Sequence, residues 1–515
     1  MTKLYDVVIA GAGPVGLFLA CELRLAHASV LVLERDNKSD SPWKDPALGR
    51  RGMNTLSTEH FYRRGLLNSL FNSGERPLAF QTKPGFQFGG HFAGIPVNAN
   101  KLDLSRHKYL FNGPSLIPAL TSINTVEEVL TERAESLGVT IIRNDGLTKI
   151  SEQDDNSVTV EAGEDGTFKG RWLVGCDGGR STVRKAAGFD FVGTEATFTG
   201  YAAKCEWDHP ERLKPGFHHS KNGFYITVGP GILYLTDFDG GAFDRSQPIT
   251  QPHLQGIFTR VSGITDVHIE KIHIVSSFTD RCKQTTSYRK GRILLAGDAA
   301  HIHGPVGSQG LNVGLGDAMN LGWKLAATLR REAHAEGPLT EADLALIDTY
   351  ERERHPMGAW VLDWTRGQVA LMQPGEHIVA ARTLMRELAD TTDGANMLID
   401  RHWGLSQRYD LGDEHPLIGS SMPDFELEGG ERLGGKLEGG KGLLVDFGGD
   451  GSLRGSIDDE KYEAKVDYFG ASAKDTRGLR ALLVRPDGIV AWVAEEVTEP
   501  HIDALKAALE RWFRY

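Results

Sequence analysis

Asp6-Val-Val-Ile-Ala-Gly-Ala-Gly-Pro-Val-Gly16 is the stretch that decides the fold of this chain. Val7 to Ala10 read as a short buried strand. Gly11, Gly13 and Gly16 give G-x-G-x-x-G spacing, with Pro14 and Val15 between them. Leu17 to Leu25 carry a helical apolar pattern, and Ser29-Val-Leu-Val-Leu33 is a second strand ending in Glu34. Each position has a physical task. Gly11 makes the tight turn, Gly13 lets a pyrophosphate approach the backbone, and Gly16 lets helix and strand pack closely. The helix N-terminus offers free N–H groups and a positive dipole end to phosphates. Glu34 lies about 20 residues past the glycines, where a carboxylate can hold a ribose hydroxyl. The unit predicts a dinucleotide site.

Working outward, 515 residues suggest two or three domains with a sizeable core. A net charge of −12 argues against nucleic acid or an anionic membrane surface as the main partner. Cys21, Cys176, Cys205 and Cys282 are scattered without metal spacing, so no disulfide and no metal site are expected. The same scatter disfavours a dithiol-type flavin reductase. The first strand follows the N-terminus at once, leaving no room for a signal peptide. The uncharged run Val7 to Cys21 is too short to span a bilayer. A soluble, cytoplasmic protein is expected.

After Glu34-Arg35 comes a polar loop, Asp36 to Gly49, and then Arg50-Arg51-Gly52. Ser57 to Leu67 reads as a helix, with Ser57 as N-cap and Glu59 in its first turn. Gly74 to Pro114 is rich in Gly, Phe and Pro and reads as a pocket cover or a surface excursion. Thr125 to Leu137 is an amphipathic helix and Val139 to Ile142 a strand. Val158 to Val160 and Phe168 to Val174 form a hairpin-like pair around Glu164-Asp165-Gly166. An apolar strand then runs into Asp177-Gly178, where Ser181 can cap a short helix bearing Arg184. From Phe189 to Ser287 the pattern turns to strands: Ala196 to Trp207, Gly223 to Val228, Ile232 to Phe238 and Val267 to Phe278. Phe224, Tyr225, Tyr234 and Phe238 are candidate contacts for an organic substrate on that sheet, with plain core packing as the commoner role.

Gly291 to His301 is a buried strand ending at Gly297-Asp298, and a loop containing Pro305 leads to a long helix starting at Gly310-Leu311-Asn312. Leu339 to Leu388 is mostly helical, with breaks expected near Pro356 and Pro374. Pro416 to Lys441 reads as hairpin and loop. Gly442 to Phe447, Ala481 to Gly488 and Ile489 to Val493 are strands, the last two joined by a Pro-Asp-Gly turn. Ile502, Leu505, Leu509 and Trp512 end the chain in an amphipathic helix. This small α/β module contains no cysteine, so it performs no dithiol chemistry. His301 and His303 are read as packing or loop-bonding residues, and His218-His219 lack partners at metal spacing.

Taken together, Gly11-Ala-Gly-Pro-Val-Gly16 with Glu34-Arg35, Asp177-Gly178, and Gly297-Asp298 with Pro305 and Gly310-Leu-Asn312 resemble the fingerprints of single-component (class A) flavoprotein aromatic hydroxylases. The resemblance covers residues 1 to about 390, and the C-terminal module resembles the thioredoxin-like appendage of the polyketide, phenol and rifampicin-type branch. It implies an α/β fold: a Rossmann-type FAD-binding domain over 1–188 and 288–390, an interleaved β-sheet substrate domain over 189–287 with parts of 74–114, and the appendage over 416–515. It also implies roles. Glu34 is the ribose ligand, Arg35 flanks the adenine, Arg51 or Arg50 lies near the flavin phosphates and ring, and Asp298 holds ribityl hydroxyls. Asp177 organises the approach of FAD and reduced nicotinamide, and Pro305 lies near the flavin. Relatives often place a glutamine before the Thr125 helix; this chain reads Leu120-Thr-Ser-Ile-Asn124 there.

The implied cofactor is FAD, with NADPH or NADH and O2 as co-substrates and a small phenolic or polycyclic aromatic as substrate. Amides of Leu311 and Asn312 at the helix start would stabilise charge on the reduced ring. The implied reaction is hydroxylation through a flavin C4a-hydroperoxide, the protein supplying orientation and exclusion of water. The same cofactor chemistry performs Baeyer–Villiger insertion, which the sequence does not separate. A flavin halogenase would carry a W-x-W-x-I-P stretch, absent here. A non-catalytic flavoprotein binding an aromatic ligand is the reading from another class, and the intact Arg51, Asp177 and Asp298 argue against it. The C-terminal module reads as a homodimer surface or as a buttress.

Overall fold

The computed structural model describes residues 3–37, 41–45, 47–71, 79–164, 166–229 and 231–514. Its central sheet runs, edge to edge, Arg289–Lys290, Ile293–Leu295, Gly166–Gly175, Leu4–Ala10, Val30–Glu34 and Thr140–Arg143. The pairs around Leu4–Ala10 and Val30–Glu34 are parallel, as is Gly166–Gly175 with Ile293–Leu295. Strands covered on both faces need no polar alternation, which is why Val7 to Ala10 and Val30 to Leu33 are unbroken apolar runs. Helices Pro14–Leu25 and Gln309–Ala333 pack together on this sheet, whose core also takes in Tyr288 and Tyr350. Gly11 sits at φ 103°, and a Cβ there would stand 2.4 Å from the Cys176 carbonyl oxygen. A Cβ on Gly16 would stand 2.0 Å from the carbonyl oxygen of Gly11, so strand, turn and helix interlock only with glycine at both positions.

A second, antiparallel sheet is ordered Gly216–His219, Gly223–Val228, Ile232–Asp237, Thr199–Trp207 and Ile269–Thr279. The strand expectation for 189–287 overlooked helix Gln251–Ser262, which buries Leu254, Ile257, Phe258 and Val261 against the sheet's outer face. That helix begins at a Thr250 cap and ends at Gly263 with φ 77°. The strand expected over Ala196 to Trp207 begins at Thr199 and ends at Trp207, and a separate short strand, Phe191–Thr194, precedes it.

Other expectations shift at caps and prolines. The helix expected from Ser57 is Thr55–Arg63, capped by Asn54, whose side chain accepts from the Ser57 amide; Glu59 is past the first turn. The Thr125 helix begins at Ile123 with Ser122 as cap. Pro356 does not break helix Glu341–Met372, which stays packed along Tyr350, Glu353, Arg354 and Val361. Lost backbone bonding at a mid-helix proline costs about 3 kcal/mol, and burial on this scale outweighs it. The break near Pro374 is present, followed by Glu376–Asp390 and Thr392–Trp403. Of the Gly74 to Pro114 stretch, residues 74–78 lie outside the described residues; further on it forms the hairpin Phe88–Phe92 and Ile95–Asn98. Asp165 of the Glu164 turn, and residues 38–40 and 46 of the Asp36 loop, also lie outside them.

The C-terminal sheet is ordered Val466–Gly470, Gly442–Asp446, Ala481–Val484 and Val490–Ala494, with helix Glu499–Phe513 against it. The strand Val466–Gly470 had no expectation in the sequence reading. Trp323, Ala327 and Leu346 of the two long helices share a core with Leu444, Leu483, Trp492 and Leu509 of this sheet and its helix.

Candidate functional site

The glycine turn delivers an open helix end. Pro14–Leu25 starts after Gly13, has Pro in its first turn and has no side-chain cap, so its leading amides have no intrahelical partner. A Cβ on Gly13 would meet nothing nearer than Glu127 Oε1 at 4.0 Å, which leaves room for a ligand against the backbone. Glu34 ends the neighbouring strand. Its Oε2 accepts from the Ala12 amide at 2.6 Å and its Oε1 from the Asp36 amide at 2.9 Å, so the carboxylate is fixed at the lip of the turn. The Arg35 side chain is exposed and paired with Asp36.

From this lip a cavity of about 510 Å³ runs between the central and second sheets. Gly13, Pro14 and Val15 form one wall with Asp298. Arg50, Arg51, Pro305, Gly310 and Leu311 form the next, and Phe198, Phe224, Ile226, Tyr234 and Phe278 the last. Gln309–Ala333 opens into it as a second helix start without a side-chain cap, behind Ser308 at φ 55°. The amides through Leu311 have no intrahelical partner and sit at the positive end of a 25-residue helix.

Asn312 does not line the cavity. Its Oδ1 accepts from the Asn54 amide at 2.9 Å, and its Nδ2 donates to the carbonyls of Gly52 at 3.0 Å and Ser308 at 2.7 Å. It thus locks strand Arg50–Met53 onto the helix start and aims the two arginines. Arg51 donates to the carbonyls of Leu48 and Arg50 and lies 5.8 Å over the Trp43 ring. Burial lowers its pKa from the ordinary arginine value, against the pull of Tyr234 and Asp298. Burial raises that of the Tyr234 phenol, against the nearby arginines, so the hydroxyl stays protonated.

Asp177 has a structural engagement that the sequence reading did not foresee. Oδ1 accepts from the Ser181 hydroxyl at 2.5 Å, and Oδ2 from the amides of Thr182 at 2.6 Å and Val183 at 3.1 Å. The carboxylate therefore shapes the loop, while its neighbours Cys176 and Gly178 line the cavity. Arg184 ties that loop to the Asp298 turn by donating to the carbonyls of Ala299 and Gly179. Asp298 itself is exposed in the cavity.

Behind Asp298 lies a buried charge cluster. Asp317 accepts from the Gly297 amide at 2.9 Å, from His301 Nε2 at 2.7 Å and from Arg354 Nε at 2.8 Å. Burial opposes its charge, but Arg354 and His301 outweigh burial and hold its pKa below the ordinary aspartate value. His301 is thus a packing residue of this cluster. His303 lines the cavity, its Nδ1 donating to the Gly304 carbonyl at 2.8 Å, and burial lowers its pKa.

Side-chain alternation divides the substrate candidates. Phe224 and Tyr234 line the cavity. Tyr225 does not: successive strand residues face opposite ways, and its ring stacks on His218 at 4.6 Å on the side covered by helix Gln251–Ser262. Phe238 does not line it either, and stands edge-on behind Phe198 at 5.6 Å. Trp43, His91, Phe278, Asp317 and Arg354 were missed. The signal for Asp317 was available: with Asn320 and Lys324 it is polar at helical spacing on a face that otherwise reads as core.

Two uncapped helix starts, a fixed carboxylate at one end and an exposed one midway fit an extended dinucleotide with a diphosphate and a ring that gathers negative charge. Among the described residues no group of histidine, cysteine, aspartate or glutamate could hold a metal ion, and no helix is long and apolar enough to cross a membrane.

Residues 4–365 match the FAD binding domain family, and residues 415–514 match the aromatic-ring hydroxylase C-terminal family. A protein of Claviceps purpurea named as a monooxygenase is 50% identical over 509 residues, covering 98% of this chain and 97% of its own. A rifampicin monooxygenase of Streptomyces venezuelae is 34% identical over 517 residues, covering 99% of both. The solved structure of an anhydrotetracycline hydroxylase from Streptomyces rimosus superposes with a TM-score of 0.83 at 35% identity, covering 100% of both chains.

Proposed function

The chain belongs to the family of FAD-binding aromatic-ring hydroxylases, and from that premise we propose that this flavoprotein monooxygenase hydroxylates a polycyclic, polyketide-like phenol. The observation that supports the reading is the single cavity into which both uncapped helix starts open and whose far wall is aromatic. The substrate classes in the names of its relatives, tetracycline- and rifampicin-type compounds, are of matching chemistry.

The residues divide the work by position. The Gly13 turn and Pro14 helix start hold the diphosphate, and Glu34 holds the adenosine ribose. Asp298 accepts from the ribityl hydroxyls. Bound FAD would supply acceptance of a hydride from reduced nicotinamide and activation of dioxygen. Amides at Gly310 and Leu311 stabilise negative charge gathered on the ring. Arg51 offers a cation where the nicotinamide approaches, near the Asp177 loop. Phe198, Phe224, Ile226 and Phe278 exclude water and hold the aromatic substrate, and the protonated Tyr234 offers it a hydroxyl.

We assign 1–188 and 288–390 to cofactor binding, 189–287 with parts of 74–114 to substrate binding and 416–515 to a buttress, in a cytoplasmic enzyme. The test is direct. Enzyme reconstituted with FAD should oxidise NADPH faster when anhydrotetracycline is added and place one labelled oxygen from O2 in the product. Product structure separates ring hydroxylation from insertion beside a ketone. A flavin that is never reduced would overturn the reading.

A further inference from the structure

A hairpin with a buried turn forms part of the substrate end of the cavity. Phe88–Phe92 and Ile95–Asn98 are joined by Ala93-Gly94, both at positive φ, 52° and 79°. Such turns match the twist of the paired strands, but they are ordinarily on the surface. This one is interior, and Ala93 has no exposed area. Its amide donates to Gln368 Oε1 at 3.0 Å, and its carbonyl accepts from His219 Nε2 at 2.9 Å. A Cβ on Gly94 would stand 2.5 Å from the Phe224 ring. The turn is therefore clamped from helix Glu341–Met372 and from the second sheet, and the side chain at its base has a fixed seat. That side chain is His91, which packs on Phe217 with ring centroids 4.5 Å apart and lines the cavity.

The proton on His91 can be placed. The Gly94 amide approaches His91 Nδ1 at 3.2 Å. A backbone amide only donates, so Nδ1 carries the lone pair and the neutral ring carries its hydrogen on Nε2. Nε2 has no hydrogen-bond partner among the described residues and is not fully buried, in a side chain that lines the cavity. Burial, with His402 and His219 close by, pushes the His91 pKa down to about 3, and the ring stays neutral at working pH. The result is an N–H of fixed direction in a chamber whose walls are otherwise mostly aromatic and aliphatic.

We propose that His91 orients the substrate, donating its Nε2–H to an oxygen of the bound aromatic compound, a ring carbonyl or a phenolate. The assignment rests on the functional reading above and narrows it: the ligand carries an acceptor oxygen at the edge that meets the Ala93-Gly94 turn. His91 selects which edge of a polycyclic ligand enters first, and hence which ring carbon faces the flavin. It is a positioning residue, whose loss weakens and misdirects binding.

The experiment uses the FAD-loaded, oxidised enzyme, titrated with a hydroxynaphthoquinone and with naphthalene while the flavin absorbance is followed. Wild-type enzyme should prefer the hydroxynaphthoquinone. His91→Phe should lower that affinity by on the order of tenfold, the scale of one hydrogen bond, and leave naphthalene binding unchanged. His91→Gln, which keeps a donor, should recover most of the loss, and FAD content establishes that each variant is folded. With anhydrotetracycline in turnover, His91→Phe should raise KM more than it lowers kcat. Equal weakening of both probes in His91→Phe, or no recovery in His91→Gln, would overturn the role of His91. Wild-type enzyme that binds neither probe would overturn the functional reading itself, and the proposal with it.

Discussion

Arg51 is the residue where the site's electrostatics concentrate. Its guanidinium is anchored on two carbonyls, lies over Trp43, and is placed within the electrostatic reach of Tyr234 and Asp298. In the proposed role, a cation held there against the cost of burial would attract the anionic nicotinamide co-substrate and the reduced ring more strongly than the same charge in water. Arg51→Ala should therefore slow NADPH-driven flavin reduction by about 10- to 100-fold while FAD remains bound, measured by stopped-flow absorbance under anaerobic conditions. Unchanged reduction would remove Arg51 from the nicotinamide approach. The arginine was named through the family resemblance, which pointed to Arg51 or Arg50, and both line the cavity. The placement of Tyr225 was not legible in the sequence. Phe224 and Tyr225 are adjacent aromatics, and a strand sends adjacent side chains to opposite faces, so at most one could line the chamber; which one depends on the side the unforeseen helix Gln251–Ser262 covers. His91 was equally silent. Its meaning comes from a hydrogen bond to Gly94 and from burial of a turn in a stretch that composition leaves open between pocket cover and surface excursion.

At the scale of elements, the start of the Gln309–Ala333 helix is the part most dependent on a distant contact. Ser308 occupies a left-handed conformation and gives no side-chain cap, so the first turn has little local support. Asn312 supplies it, bonding the Ser308 carbonyl below and strand Arg50–Met53 beside it. Asn312→Ala leaves the Asn54 amide and the Gly52 carbonyl without these partners and should destabilise the protein by about 2 kcal/mol. FAD affinity should fall with stability, because the same bonds aim the Leu311 amide and Arg51. Thermal unfolding with and without added FAD checks both; a variant that loses stability but binds FAD as before would separate the helix start from the cofactor. Long apolar strands and the glycine turn were legible because periodicity and local backbone geometry determine them. Caps and prolines were read less well: Asn54 outcompeted Ser57 as cap, and packing on both sides carried a helix through Pro356.

Across the whole molecule, buried arginines join the C-terminal module to the cofactor end. Arg63 reaches Ser421 and the Met422 carbonyl, and Arg64 pairs with Glu22 and reaches the carbonyls of Leu437 and Pro486. Arg485, in the turn between two C-terminal strands, bonds Glu353 at 2.8 and 2.7 Å between the rings of Trp512 and Trp323. The residue after Glu353 is Arg354, which holds Asp317 and through it the Gly297 amide beside Asp298. A module joined this way suits the proposed buttress role, and its docking should depend on pH. Burial opposes the charge on Glu353, but Arg485 and Lys324 outweigh it and hold the pKa well below the usual 4.5. Unfolded chain then binds the proton more readily than folded chain. The contribution is complete above pH 4.5 and drains away as pH falls below it toward the folded value. Tryptophan emission from Trp323 and Trp512 should shift in that acid range, with FAD release alongside. Glu353→Gln leaves Arg485 and Lys324 short of a buried counter-charge, which costs about 3–5 kcal/mol and should bring the same changes near neutral pH. If the variant keeps wild-type emission, thermal stability and FAD content, the charge network does not hold the module in place, and the apolar contacts of Trp323 and Leu346 with the C-terminal core carry the docking instead.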